Sequence, residues 1–274
     1  MPELPEVETV VRTLEFLIGG LKITDIDIHY MPIVSGDIDA FRQSLINKRF
    51  TGFSRRGKYA LYTVEDVILM VHLRMEGRFY VRDERNPTDK HTHAVFHLDN
   101  GRFLHYHDVR KFGRLEIVRP DQISRRLSTL GIEPFDPQMS GYTLKKLASS
   151  RQIGLKTFLL DQRFVCGIGN IYADEICFCA RLHPESPVSK ISLKRFNEVA
   201  DCIKMVMSQA IADGGTTIRS YTSSLGVSGR FQLRLNVHMR KGEPCHVCGD
   251  PIIKTRVSGR GTYVCLRCQK RIKD

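Results

Sequence analysis

Met1-Pro2-Glu3-Leu4-Pro5-Glu6-Val7-Glu8-Thr9 opens the chain. Proline at the start of a helix and acidic residues in its first turn suit the backbone there, because the missing N–H costs nothing and the dipole favours negative charge. Val7, Val10, Val11, Leu14, Leu17 and Ile18 then share one face and Gly19-Gly20 stops it, so a helix is predicted over 5–18. The same stretch permits chemistry. Proline is small enough for the initiator Met to be trimmed, which leaves Pro2 a free secondary amine. An α-amino group titrates near pH ~8, so a usable fraction is neutral and nucleophilic at pH 7. Such an amine attacks a sugar or carbonyl carbon to form a Schiff base, and Glu3 stands one residue away to move protons. If Met1 is retained, the Pro2 nitrogen is an amide and cannot attack. From these residues alone, both the ordinary helix start and the catalytic amine stay open.

Downstream the texture changes. Short strand-like runs cover Lys22–Ile28, Tyr59–Val64, Val67–Leu73, Arg78–Arg82, Ala94–Leu98, Arg102–Tyr106 and Leu115–Val118, with Asp99-Asn100-Gly101 as a hairpin turn. Seven strands at this spacing suggest a sandwich or barrel. Pro120, Gly131, Pro134 and Pro137 mark 119–142 as a linker with a short helix inside it. The next part is helical: Leu144–Leu147, Leu155–Val165, Asn170–Leu182 and Ser192–Ala212, with Gly167 and Gly169 as punctuation and Asn170 as an N-cap. In the last of these Phe196, Val199, Ile203, Val206, Met207, Ala210 and Ile211 form a packing stripe. Residues 216–235, rich in Gly, Ser and Thr, read as a loop, and about 236–270 as a small cysteine module. There are no repeats.

At 274 residues the chain can hold one large or two ordinary domains, and 42% hydrophobic residues are enough for real cores. No apolar run approaches the ~20 residues that span a bilayer, and no secretory segment is seen, so a cytoplasmic address is expected. Charge is lopsided. Residues 1–140 hold 20 Lys and Arg against 20 Asp and Glu, whereas 141–274 hold 22 against 10, which is the whole net charge of +12. A polyanion is the natural partner for that half, an anionic membrane being the other candidate.

Cys245-x2-Cys248-x16-Cys265-x2-Cys268 has zinc spacing: each close pair makes a knuckle, and the spacer allows a hairpin that joins them. Four thiolates close a tetrahedral site, so the ion is structural; two disulfides are the alternative, disfavoured in a reducing compartment. His246 lies between ligands and is expected to be exposed. Cys166, Cys177, Cys179 and Cys202 lie in helical context without paired spacing and are expected to be buried thiols. His91, His93, His97, His105 and His107 are crowded, but strand spacing scatters them, so no second metal site is expected. The module presents Lys254, Arg256 and Arg260, and Gly259 and Gly261 let the backbone turn sharply at Arg260.

Pro2 to Thr9 resembles the N-terminus of the formamidopyrimidine-DNA glycosylases, a family shared with endonuclease VIII. The resemblance returns at Arg55-Arg56-Gly57-Lys58, His72-Leu73-Arg74-Met75-Glu76-Gly77, Asp108-Val109-Arg110-Lys111-Phe112-Gly113, Gly167-Ile168-Gly169-Asn170-Ile171-Tyr172 and the four cysteines around Arg260, in the family's order and over nearly the whole chain. It implies an α+β fold: an N-terminal catalytic β-sandwich flanked by helices over 2–130, a linker at 131–142, a helix–two-turn–helix DNA-binding domain over 143–235, and a zinc-finger β-hairpin over 236–270.

It also implies an activity. Family members excise oxidised purines such as 8-oxoguanine and formamidopyrimidines, then cut the strand by β,δ-elimination. They need one structural zinc ion and no catalytic cofactor. The partner is double-stranded DNA with oxidised bases or abasic sites, bound by a monomer. By resemblance Pro2 is the nucleophile and Glu3 the acid, with Glu6 in support; Lys58 and Arg260 stand near the phosphates during elimination. Met75, Arg110 and Phe112 match the three residues that fill the void left by a flipped base, a task suited to apolar wedges and arginine. His72, His91, Arg151, Asn170 and Lys254 match positions at the DNA, and Asn170 also opens a helix whose N-terminal amides suit phosphate.

Two other readings are weighed. Endonuclease VIII-like enzymes prefer oxidised pyrimidines, but Met75-Glu76-Gly77 and Leu4 resemble the purine branch. A zinc-containing DNA binder without activity needs neither a free Pro2 nor Glu3. One departure stands out: where members commonly carry Val-Tyr-Gly-Arg, this chain has Val237-His238-Met239-Arg240. Histidine can still donate to phosphate, with a pH dependence that tyrosine lacks.

Overall fold

A computed structural model describes residues 1–85, 89–216 and 230–272. Two compact units divide the chain, Met1–Ser128 with Gly214–Arg230, and Thr129–Asp213 with Phe231–Asp274. The loop expected over 216–235 lies mostly outside the described residues; its end is a single helical turn at Phe231–Arg234.

The first unit begins with helix α1, Leu4–Ile18. Its buried stripe, Leu4, Val7, Val10, Val11, Leu14 and Ile18, is the one the periodicity predicts, and it packs on a β-sandwich. Strands follow as β1 (Ile23–Ile28), β2 (Val34–Ser35), β3 (Phe50–Arg56), β4 (Tyr59–Val64), β5 (Val67–His72), β6 (Arg78–Arg82), β7 (Thr92–Leu98), β8 (Phe103–His107) and β9 (Arg114–Val118), with helix α2 (Ile38–Leu45) between β2 and β3. One sheet has the order β1-β7-β8-β6 and the other β2-β9-β5-β4-β3. All pairings are antiparallel except β2 with β9. Inward residues of both sheets, including Phe50, Tyr62, Leu69, Val71, Phe79, Phe96 and Tyr106, share one core with α1. At their inner edge Arg55 of β3 donates to Glu8 of α1 at 2.8 Å, and this partner holds the Glu8 carboxyl below its ordinary range despite burial, which alone would raise it.

Every predicted strand is present, with ends shifted by at most two residues. Three elements escape the pattern. β2 has only two residues, too short for alternation to register. β3 reads Phe-Thr-Gly-Phe-Ser-Arg-Arg and lies at a sheet edge, so polar residues blur its alternation. α2 buries only Phe41 and Leu45, too few positions for a periodic signal. The segment after β9 holds the short helix α3, Ile123–Arg126.

In the second unit the helices are α4 (Gly141–Ala148), α5 (Leu155–Leu160), α6 (Asn170–Cys179) and α7 (Leu193–Ala212), followed by the hairpin β10 (Ile253–Val257) and β11 (Arg260–Val264). The helix expected to reach Val165 stops at Leu160, because Asp161 accepts the Arg163 N–H at 3.0 Å and starts a turn. α6 is buried on all sides from Ile171 to Phe178. Such a helix has no polar face, so its buried Asp174 and Glu175 need partners.

Candidate active site and nucleic-acid interface

At the N-terminus of α1, Glu3 is the cap and pairs with Glu6 in a reciprocal capping box, with the Glu3 N–H 2.8 Å from Glu6 Oε2. The other Glu6 oxygen accepts both the N–H and the hydroxyl of Thr216, at 2.7 and 3.0 Å. Gly215 adopts φ +79° there, and a Cβ on it would crowd the Glu6 carboxylate. Glu6 thus ties the helix start to a distant segment, a supporting role. Pro2, Glu3 and Glu6 are buried, whereas Met1 is 48% exposed. Lys58, in the turn between β3 and β4, is buried as well.

His72 ends β5 and stands edge-on to Tyr59, with ring centroids 4.6 Å apart. Burial, with help from Arg74 and Lys58, lowers its pKa to about 3, so the ring is neutral. Its Nδ1 accepts the Arg74 N–H at 3.0 Å, which leaves the ring proton on Nε2 as a donor.

Two loops of this unit carry the proposed wedges. In the first, Arg74 at φ +53° and the Gly77 N–H to the Leu73 carbonyl at 2.9 Å shape a tight turn that leaves Met75 36% exposed. The second is organised by Asp108, which is fully buried. It accepts the N–H groups of Arg110 at 3.0 Å, Phe112 at 2.9 Å and Gly113 at 2.8 Å, while Lys111 takes φ +59°. Phe112 is left 49% exposed with the Arg110 guanidinium 4.8 Å from its ring centre. A Cβ on either Gly77 or Gly113 would strike the Tyr106 hydroxyl, so one buried tyrosine underlies both loops. His91 belongs to the same neighbourhood: its carbonyl accepts the Asp108 N–H at 2.9 Å and its ring meets that of His107. Large apolar side chains held out by buried polar anchors are built for a partner rather than a core. His97 lies with Asp25 and Asp27, but Arg42 and Arg85 already engage those carboxylates.

In the second unit, Gly169 rather than Asn170 is the N-cap of α6. Asn170 is the first helical residue, and its side chain is drawn away to donate to the Gly261 carbonyl at 3.0 Å. Ser258 and Gly259, at φ +47° and +76°, form the two-residue turn between Val257 and Arg260, a type I′ pattern. Arg260, beside it, is exposed and no side chain among the described residues engages it. Lys254 reaches over the Tyr263 ring at 5.5 Å, and Arg151 over Phe164 at 5.2 Å. His238, in place of the usual tyrosine, is buried and bonded to Asp174 at 2.7 Å.

The four zinc-spaced sulfurs lie within 4.8 Å of one another, with Cys245 to Cys268 at 3.8 Å and Cys248 to Cys265 at 3.4 Å. Tetrahedral zinc needs sulfurs about 3.8 Å apart, so the residues fit the ion. Against its burial, the Val247 and Cys248 amides pull the Cys245 thiol down to about 7, while burial and the neighbouring sulfurs push Cys268 up to about 12. One thiolate resists the next until a dication holds them all. His246 is exposed. Cys166 and Cys177 are buried thiols, but Cys179 and Cys202 are not: they are joined in a disulfide. Cys179 ends α6 and Cys202 lies on α7, and the packing of these helices brings their Cα atoms to 5.8 Å, a pairing that a separation of 23 residues conceals.

Asp108, Tyr106, Lys156, Asp174, Glu175 and Thr216 hold these groups in place, although the sequence alone predicts no role for them. Asp108 had a signal, an Asp followed by a turn ending in Gly113; the others act through partners far away in the chain.

Three family models match: the formamidopyrimidine-DNA glycosylase N-terminal domain over residues 1–115, the helix–two-turn–helix domain of the same enzymes over 130–222, and a zinc finger found in FPG and IleRS over 242–271. Among curated proteins, the formamidopyrimidine-DNA glycosylase of Bacillus cereus is 42% identical over 276 residues, which cover 99% of this chain and 100% of the relative. That of Listeria innocua is 41% identical, covering 98% and 100%. Among solved structures, Lactococcus lactis Fpg in complex with DNA containing an abasic site superposes with a TM-score of 0.94 at 37% identity, covering 98% of this chain and all of that one.

Proposed function

The chain belongs to the formamidopyrimidine-DNA glycosylase family, and we propose that it excises oxidised purines from duplex DNA through a Schiff base on Pro2 and then cleaves the abasic strand. The observation that carries this reading is the N-terminal triad: Pro2 and the buried Glu3 adjoin at the start of α1 behind an exposed Met1, and Glu6 holds that start in place.

With Met1 removed, the Pro2 lone pair attacks C1′ of the damaged nucleotide. The bond from C1′ to the base breaks and the base leaves with its electron pair and a proton. Glu3 supplies a proton to the sugar ring oxygen or to the base, and the secondary amine becomes an iminium ion as the ring opens. The iminium acidifies the 2′ hydrogen; its loss expels the 3′ phosphate, and a second elimination expels the 5′ phosphate. Lys58 and Arg260 stand near these phosphates, while Met75, Arg110 and Phe112 enter the gap left by the flipped base. His72, through Nε2–H, and His91, Arg151, Asn170 and Lys254 hold the backbone. The zinc ion, where Cys245, Cys248, Cys265 and Cys268 hold it, keeps the hairpin folded and takes no part in the chemistry. A cytoplasmic address belongs to this reading: the relatives are bacterial, and no helix among the described residues is long and apolar enough to cross a membrane.

Borohydride trapping on an 8-oxoguanine duplex tests it. Protein whose N-terminus is proline should form a covalent adduct, and protein carrying a residue before Pro2 should bind the duplex without forming one. An adduct from demonstrably blocked protein would remove Pro2 as nucleophile and point to Lys58.

A further inference from the structure

A line of buried polar groups runs through the second unit and ends on the backbone of Arg260. His238 is 6% exposed, and its Nδ1 lies 2.7 Å from Asp174 Oδ2. The other Asp174 oxygen is 2.7 Å from the Lys156 ammonium; both side chains are fully buried. Lys156 also donates to the Gly261 carbonyl at 2.9 Å and the Thr262 hydroxyl at 2.8 Å, and its contact with Asp174 is an ion pair rather than a hydrogen bond. Thr262 passes its own proton to the Arg260 carbonyl at 3.0 Å. The starting end is fixed too. Glu175 accepts the N–H groups of Asn236, Val237 and His238 at 2.9, 3.0 and 2.9 Å, and the His238 ring stands 5.0 Å from that of Tyr263.

We propose that His238 is a positioning residue for Arg260, acting through Asp174 and Lys156. This rests on the reading that Arg260 grips a DNA phosphate. Asp174 divides its two oxygens between the His238 ring and the Lys156 charge, which keeps the ammonium where it can also reach Gly261 and Thr262. Without the His238 donor, a buried carboxylate oxygen is left unsatisfied. Without that donor the only Lys or Arg touching Asp174 among the described residues is Lys156, so the carboxylate turns toward it and draws the ammonium off the Arg260–Thr262 backbone. Arg260 sits at the tip of a two-strand ribbon with no side chain among the described residues to steady it, so its placement depends on that backbone.

The test measures affinity of the zinc-loaded full chain for a duplex carrying a tetrahydrofuran abasic analogue, at fixed salt and pH, with zinc content and Tm followed in parallel. His238→Phe keeps a ring against Tyr263 and removes the donor. It should weaken binding about ten-fold, and His238→Asn, whose amide can take the place of Nδ1–H, should recover most of that. The decisive arm is the Arg260→Ala background. There His238→Phe should cost less than about two-fold, because the group it positions is gone. Thr262→Val probes the line from its other end and should show the same dependence on Arg260; it serves if His238→Phe does not fold. An equal loss with and without Arg260 would overturn the proposal and leave Arg260 as a phosphate contact. No loss from Arg260→Ala alone would overturn the assigned role of Arg260 and this proposal with it.

Discussion

At the scale of single residues, the site separates groups by burial rather than by type. His72 is the clearest case. The family resemblance places it at the DNA, and it lies among basic groups, yet burial keeps it neutral with its pKa near 3. A neutral ring still donates through Nε2, so phosphate contact does not depend on its charge. The sign for stability follows. In the unfolded chain the group titrates near 6.5, so the unfolded state binds more protons between about 6.5 and 3. The contribution of the buried neutral ring is therefore complete above 6.5 and is lost as pH falls toward 3. Comparing the unfolding free energies of the protein and its His72→Gln variant should show their difference shrinking below pH 6.5, by up to about 1.4 kcal/mol per pH unit. A difference that stays constant between pH 7 and 5 would show that His72 titrates normally.

At the scale of elements, what matters is how loops are held. The 108–113 loop has no regular structure, yet three amides converge on one buried carboxylate and a glycine abuts a buried tyrosine hydroxyl. This converts a loop into a rigid mount, which suits the wedge role proposed for Phe112, since a pre-ordered side chain loses little entropy on binding. Phe112→Ala should weaken binding of an 8-oxoguanine duplex by about 1–3 kcal/mol, the range for aromatic stacking on bases. It should spare cleavage at a pre-formed abasic site, where no base has to be extruded. Gly113→Ala keeps the phenylalanine but displaces its mount, so it should reproduce the same selective defect. Equal damage to both substrates in either variant would show that the loop supports the chemistry rather than the extrusion.

At the scale of the whole molecule, two independently packed units divide the labour. The first, with 22 Lys and Arg against 18 Asp and Glu, carries Pro2, Glu3 and the exposed Met75 and Phe112. The second, with 20 against 12, carries the larger excess of positive charge, Asn170, Arg260 and the four zinc-spaced cysteines. The zinc module has a small core of its own, Val237, Cys245, Ile252 and Cys265 with Phe178 of α6. Five side chains bury too little apolar area to offset the entropy of ordering some 35 residues, so the ion must supply folding energy. Cys265→Ser should lose its zinc by metal analysis and bind duplex DNA more weakly, while the β-sandwich, which has a separate core, keeps its own unfolding transition. Full DNA binding by metal-free protein would contradict this.

Much of this was legible in the chain itself. Helix α1, the strands of the sandwich and the helices of the second unit declare themselves because their periodicity is local: each repeat needs only a few neighbours to be read. The zinc ligands are legible for the same reason, since their chemistry depends on spacing within short segments. What the tertiary structure alone decided are the pairings between segments far apart. Glu6 with Thr216, Tyr106 beneath two loops, Cys179 with Cys202, and His238 through Asp174 and Lys156 to the Arg260 turn all join residues whose separation carries no periodic signal. Burial explains why such partners matter. A polar group removed from water must be satisfied by whichever group the fold brings near, and only the packed chain determines which one that is.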